Sequence, residues 1–528
     1  LEETVGLHRV IGPPGTGKTG FIARQVEHWV SRGVRPERIV LVSHTRAAAR
    51  VLAERVDIPD ENVGTLHSMG YRALGRPEVA EAGKLAAAWN SSVQAPGWRI
   101  GVVDDADPYG GGAGGRTHFE RLMLARSRGE PPPYELRDLN EAWEGFKYEH
   151  DAVDFADMLE LPVRREAPPP GNPSHLVVDE AQDLTPAGWA LVRHWSRYVE
   201  EVVVAGDPAQ VIYEWAGARP DELLAEGWDE RMLSQSYRLP PAVHEHAERL
   251  LTRHSGVLGE GRWYRPREGA EGAVDTVPLT IQRHADALAE LVERESAEGT
   301  VMVLAQAAYM LRPVLTALLE RGILFHNPYR VANGSWNPLR EDAGEGRTST
   351  LARVKSFLRP DDRVWGSDSR VWQTPDIVPW ARMLRADAFK RRGARERLLA
   401  EPGEGLLDEL FDELTDEARE GVESLSVRWL ASAVLAEYRP IVERIASIVE
   451  RRGTAILAER PRVIVGTIHS VKGGEADTVI VAPDVSLAAA REMSTTEGND
   501  AMIRLFYVAV TRARGKVLWL TPGTRLAI

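Results

Sequence analysis

The stretch from Val10 to Thr19, VIGPPGTGKT, decides the fold. It holds the pattern G-x-x-x-x-G-K-T, with Gly12 opening it and Gly17-Lys18-Thr19 closing it, directly after the apolar pair Val10-Ile11. Glycines at these places let successive backbone N–H groups turn inward around phosphate oxygens. Gly12, Pro13, Pro14, Gly15, Thr16 and Gly17 are therefore read as a phosphate cradle, with Lys18 reaching the β and γ phosphates and the Thr19 hydroxyl placed for Mg²⁺. The run Phe21 to Val30 is helix-like, which sets the cradle at a helix N-terminus, where the helix dipole favours anions. A bare strand-to-helix turn rich in Gly and Pro is the competing reading; the Lys-Thr ending argues against it.

Outward from this loop, apolar runs and helical stretches alternate. Leu7 to Ile11 and Ile39 to Ser43 read as strands and Arg46 to Arg55 as a helix, a βαβ rhythm that predicts a parallel sheet covered on both faces. The rhythm breaks from about Gly75 to Asp151, where a helical, polar insertion carries the glycine-rich loop Gly110 to Gly115. It returns at His175 to Val178, which ends in Asp179-Glu180-Ala181-Gln182-Asp183, and at Glu201 to Ala205, which leads to Gln210. Parallel sheets carry their chemistry at the C-terminal ends of strands. Asp179 is thus the natural Mg²⁺ partner, Glu180 the natural base for an attacking water, and Gln210 a sensor of the γ phosphate. Taken alone, the acidic cluster would be an ordinary helix cap. Tyr213 and Trp215 follow as aromatics able to stack on bases, or as core residues. A second α/β unit has strands near Thr300 to Ala305, Arg462 to Val465, Thr478 to Ala482 and Val517 to Thr521. Between them, Ser335 to Thr454 is helical and charged, with five tryptophans best read as buried anchors.

At 528 residues the chain needs several cores. It has no cysteine, which excludes disulfides, thiolate zinc sites and a cysteine nucleophile. A net charge of −13 excludes a global positive field, so nucleic acid would have to be met by local basic and aromatic positions. No apolar run approaches bilayer-spanning length and the first residues lack a signal-peptide pattern, so a cytoplasmic location without membrane contact is expected.

The ordered motifs resemble the UvrD/Rep/PcrA family of superfamily 1A DNA helicases. GPPGTGKT, VSHTRAAA, GTLHS, VVDEAQD, GDPAQVIYEWAGA, LSQSYR, VGTIHSVKGGEADTV and RLFYVAVTRAR occur in family order, with Asp154-Phe155-Ala156-Asp157 as a further element. The resemblance implies an α/β fold with two RecA-like parallel-sheet motor domains of the P-loop NTPase class, each with a mainly helical insertion. The first motor domain would be 1–74 and 152–240 with insertion 75–151, and the second 241–334 and 455–528 with insertion 335–454. It further implies ATP and Mg²⁺ as cofactors and a monomer-capable protein acting on single-stranded and tailed duplex DNA with 3′→5′ polarity. The Ile-Tyr-x-Trp form from Ile212 to Trp215 and the Tyr-Val-Ala-x-Thr-Arg form from Tyr507 to Arg512 resemble the 3′→5′ branch, and Val211-Ile212 stands where 5′→3′ relatives usually have Leu-Pro. By position, Tyr237 would stack on adenine, Glu475 would bond the ribose, and Arg238 and Arg512 would be arginine fingers. His67, Tyr213, Trp215 and His469 would line single-stranded DNA, with His44 substituting for the family's phenylalanine. Ala216 stands where relatives often carry arginine. Pro522-Gly523-Thr524 stands as a turn where relatives have a strand-separating hairpin, so translocation is expected to outweigh unwinding.

Overall fold

Alternation within the β-branched runs builds a two-faced sheet. In the computed structural model, which describes residues 6–43, 57–101, 116–256, 263–330, 334–340, 348–361 and 371–528, the chain divides into two compact units, 1–276 with 467–528, and 277–466. His44, the helix expected over Arg46 to Arg55 and the glycine-rich loop Gly110 to Gly115 lie outside the described residues.

The first unit contains β1 (Gly6–Ile11), β2 (Ile39–Val42), β3 (Val63–Gly64), the small pair β4 (Glu78–Val79) and β5 (Ala152–Val153), β6 (His175–Val178), β7 (Glu201–Gly206) and β8 (Asp229–Met232). Six of these form one sheet in the order β3-β2-β6-β7-β1-β8. Every registered pair in it is parallel. Ile39, Leu41, Val177, Val203 and Ala205 point to one face, where α1 (Lys18–Ser31) covers them with Ile22, Val26 and Trp29. Val40, Val42, Leu176, Val178, Val202 and Val204 point to the other. They meet α2 (Leu66–Ala73), α6 (Asp157–Arg164) and α7 (Pro186–Trp195). This is the period-two pattern of strands buried on both sides. The shared register, with Ile11 beside Gly206 and Val178 beside Val204, brings Gly12, Asp179 and Asp207 out at one edge.

Between α2 and α6, α3 (Gly83–Ser92), α4 (His118–Ser127) and α5 (Arg137–Glu149) enclose their own core of Trp89, Phe119, Leu122, Leu139 and Trp143. Trp143 meets Trp89 and Phe119 edge-on at 4.9 and 5.0 Å. The Asp154-Phe-Ala-Asp157 element has a physical role here. Asp154 and Asp157 accept each other's backbone N–H at 2.8 and 3.0 Å. Both carboxylates then receive Arg126 from α4, at 2.5 and 2.7 Å, and Lys147 from α5, at 2.9 and 2.6 Å. Buried charges persist only when paired in this way, so the element ties the insertion to α6.

The first unit also holds α8 (Pro241–Leu251), β9 (Ala476–Val481), α9 (Thr496–Val510) and β10 (Ala513–Leu520), with β9 and β10 parallel. The second unit carries the strand Val301–Ala305 and pairs Phe325 with Val463 in parallel. Its helical part closes over Phe357, Trp380, Leu410, Val422, Leu430 and Ile445. Trp336 and Trp380 are buried, Trp372 and Trp429 pack against the same core, and Trp365 lies outside the described residues. No helix among the described residues is long and apolar enough to cross a membrane.

The contact of α2 with α6 passes through a glycine. A Cβ on Gly70 would stand 1.8 Å from the Met158 carbonyl oxygen, whereas one on Gly188 would meet side chains alone, the Leu66 methyl at 3.3 Å and Leu184 at 3.6 Å. Gly70→Ala is expected to cost about 3 kcal/mol or more in urea unfolding through overpacking against backbone, and Gly188→Ala less than about 1 kcal/mol.

Candidate functional site

The cradle closes on itself. Gly15 and Gly17 take φ of 72° and 82°, and Gly17 caps α1 in the left-handed region, which side chains other than glycine's avoid. The Lys18 ammonium donates to the Gly12 carbonyl at 2.6 Å and the Thr16 hydroxyl to that of Pro13 at 2.8 Å. Thr19 is half-buried on the first turn of α1. The segment after β8 seats against the loop. Tyr237 donates its N–H to the Gly15 carbonyl at 2.8 Å and the Ser236 hydroxyl donates to that of Pro14 at 2.9 Å. The Tyr237 ring is 71% exposed, leaving a free face beside the cradle.

Asp179 and Glu180 leave the end of β6 together, and Glu180 adopts φ 54°, ψ 38°, a strained conformation for a side chain of its size. Burial and the adjacent Glu180 push Asp179 above the usual carboxylate range. Burial acts on Glu180 as well, but Lys18, Lys472 and a hydrogen bond from Gln182 outweigh it and hold Glu180 below that range. One acid is thus kept ionised while burial and that acid outweigh Lys18 and Lys472 at its neighbour, a carboxylate pair whose oxygens suit a hard divalent cation.

From the end of β7, the Asp207 carboxylate accepts from the Gln210 amide at 2.8 Å and from the Ala209 N–H at 3.1 Å. The other end of the Gln210 amide accepts from Arg512 at 2.9 Å. Arg512, 2% exposed, also donates to the Val508 and Gly474 carbonyls. Arg238 donates to Glu475 at 2.8 Å and to the Thr511 carbonyl at 3.2 Å, and Arg514 pairs with the other Glu475 oxygen. Every catalytic and nucleotide position expected from the sequence therefore belongs to one neighbourhood. Lys472 is the residue that sequence reading missed. It pairs with Asp183, lies 3.8 Å from Glu180, donates to the Gln210 carbonyl at 3.1 Å and sits 5.2 Å from the Tyr213 ring centre. Its only signal was membership of the VKGGEAD stretch; nothing local pairs it with an aspartate 289 positions away.

Of the aromatic positions, Tyr213 lies 6.1 Å from Trp215 and 6.2 Å from His469, ring centre to ring centre. Tyr213 and His469 are 4% and 2% exposed, so they form the floor of this cluster and half-buried Trp215 its outer wall. The Trp215 indole N–H is buried with no hydrogen-bond partner among the described residues. His67 is exposed on the first turn of α2, a turn fixed by the reciprocal Thr65–Ser68 capping box. Its ring meets half-exposed Phe155 edge-on at 6.3 Å.

A phosphate cradle at the C-terminal edge of a parallel sheet, an acid pair on an inner strand, and a glutamine joined to a distant arginine define a P-loop NTPase of the RecA-like motor class. Comparison with known sequences narrows the class. The AAA domain family matches residues 3–216 and the UvrD-like helicase C-terminal domain family matches residues 462–520. ATP-dependent DNA helicase UvrD2 of Mycobacterium tuberculosis is 22% identical over 573 aligned positions, covering 96% of this chain and 75% of that protein. ATP-dependent DNA helicase PcrA of Staphylococcus aureus is 23% identical over 297 positions, covering 50% of this chain and only 40% of PcrA. These matches support a UvrD/PcrA-like helicase of superfamily 1.

Burial pushes Asp183 up to about 6 even with Lys472 beside it. Lys472→Met removes the cation and leaves a buried carboxylate, which is expected to cost about 3 kcal/mol at pH 8. Because Lys472 lowers the folded-state value of Asp183, its loss moves that value further above the unfolded one, so the deficit grows as pH rises through 6 and shrinks toward pH 5. Urea unfolding at both pH values checks this.

Proposed function

We propose that this chain is an ATP-dependent 3′→5′ DNA helicase and single-strand translocase. The observation that carries the reading is the loop after β7, which holds Gln210 against Arg512 at one end and Trp215 on the Tyr213–His469 floor at the other. One short loop thus spans the nucleotide and nucleic-acid sides. The similarity to PcrA and UvrD2, both ATP-dependent DNA helicases, supports the helicase part of this reading.

In this reading, residues 12–19 cradle the triphosphate, Lys18 neutralises its β and γ oxygens, and adenine lies on the exposed face of Tyr237. Thr19 and Asp179 would hold Mg²⁺, which supplies further charge neutralisation at the phosphates. Glu180, kept ionised, orients the attacking water and takes its proton. Arg512 and Arg238 supply positive charge to the γ phosphate, a contribution worth about 10³- to 10⁵-fold for an arginine finger. Arg238 is paired with Glu475, the proposed ribose partner, so ribose engagement by Glu475 and placement of the finger both draw on the same ion pair. Gln210 reports the γ phosphate to its loop, and Trp215 presents the stacking face, with His67 at a second aromatic pair and His44 retained as a DNA contact by resemblance. We assign residues 1–74 and 152–240 to the first motor domain and 241–334 and 455–528 to the second. Segments 75–151 and 335–454 are their insertions, and the working unit is monomer-capable.

ATP turnover with and without single-stranded DNA, together with unwinding of duplexes bearing a 3′ or a 5′ tail, tests the proposal. Stimulation with 3′-tail unwinding is expected. Stimulation without unwinding would restrict the function to translocation along single strands and displacement of bound proteins, while no stimulation by any nucleic acid would overturn the DNA motor. Lys18→Ala and Glu180→Gln are each expected to lower turnover at least about 10³-fold. Glu180→Gln should still bind nucleotide in equilibrium dialysis, since only the base is lost.

A further inference from the structure

The loop after β7 is held at a third point that the proposed chemistry does not use. Glu214 stands between Tyr213 and Trp215, in a single helical turn spanning Glu214–Ala216. Its carboxylate receives Arg504, whose side chain is 4% exposed, and Arg504 also reaches the His254 ring. His254 lies 3.7 Å from the Asp500 carboxylate, which accepts from the Ser255 N–H and hydroxyl at 2.9 and 2.6 Å. Arg504 is thus fixed from behind and presents its charge to Glu214 alone among the acids described around it.

Arg504 lies on α9, and Arg512 follows just beyond that helix's last residue, Val510. Eight residues of helix advance about 12 Å. The same rigid element therefore grips the loop twice, through Arg512 on Gln210 and through Arg504 on Glu214. From the insertion, Arg116 donates to the Trp215 carbonyl at 2.6 Å and Ser127 to that of Ala216 at 3.2 Å. Trp215 sits between these two grips. A displacement of α9 that follows Arg512 toward or away from a γ phosphate must drag Glu214 with it, while α4 holds the carbonyl side.

Resting on the function proposed above, we infer that the Arg504–Glu214 ion pair is the positioning contact that transmits nucleotide state from Arg512 to the stacking face of Trp215. Glu214 and Arg504 touch neither nucleotide nor DNA in this arrangement; they set where Trp215 stands when α9 moves.

The full chain is compared with Glu214→Gln, Arg504→Gln and the double variant. Measured are ATP turnover without DNA and with a saturating thymidine homopolymer, and single-strand affinity by fluorescence anisotropy with ADP or a non-hydrolysable ATP analogue. Each single variant is expected to keep basal turnover within about twofold, to lose DNA stimulation about 5- to 20-fold, and to bind DNA almost equally in the two nucleotide states. The double variant is expected to be no worse than the poorer single, because both remove one contact. Should Arg504→Gln fail to fold, the exposed-side variant Glu214→Gln carries the same two readouts. Full stimulation in Glu214→Gln, or parallel loss of basal and stimulated rates, would overturn the inference and leave the motor reading standing. Absence of stimulation in the unaltered chain would overturn both.

Discussion

Burial of several carboxylates at one sheet edge is the constraint around which this protein is arranged. Asp179, Glu180, Asp183 and Asp207 all leave the C-terminal ends of two neighbouring strands, the three aspartates buried and Glu180 half-buried. Carboxylates so confined cannot all ionise without cations close by. Lys18 arrives from the cradle and Lys472 from beyond residue 467, while Asp207 is satisfied by hydrogen bonds from the loop it begins. The compensation is unequal: Glu180 is held ionised, whereas burial and Glu180 push Asp179 up despite Lys18 and Lys472.

That distribution explains why the last sixty or so residues of the chain matter to a site begun by the first twenty. Lys472, Glu475 and Arg512 supply contacts that the sheet edge cannot make for itself. The loop after β7 lies where these contributions meet, and its length is enough to reach the aromatic cluster. Coupling between hydrolysis and movement on a strand requires an element with differential contacts to both sites. A loop gripped at Gln210, Glu214, Trp215 and Ala216 has the connectivity that the proposed function asks of such an element.

The insertion contributes through a different balance. Its own aromatic core around Trp143 makes it a folded body, while the Arg126 and Lys147 pairs to Asp154 and Asp157 fix its attachment to α6. The same attachment places Phe155 beside His67, and the close approach of Gly217 to Ser127 brings α4 against the loop that carries Trp215. The insertion is thereby part of the scaffold of the aromatic side of the site.

Local physics was enough for the sequence to determine the cradle, the strand ends and the α/β rhythm. Glycine spacing, a Lys-Thr pair at a helix start and period-two apolar runs act over a few residues and mean the same wherever they occur. The order of motifs along the chain, through the resemblance it carries, further pointed to Arg238, Glu475 and Arg512 as expected partners of a nucleotide. Tertiary structure alone decided which groups compensate one another: that Lys472 serves Asp183, that Arg238 and Arg514 share Glu475, and that Arg504 holds Glu214. It also decided that Tyr213 and His469 lie beneath Trp215 as its floor, and that Phe155 is the neighbour of His67. Coulombic pairing and burial depend on distance in space, and partners separated by more than two hundred residues leave no periodic trace in the chain.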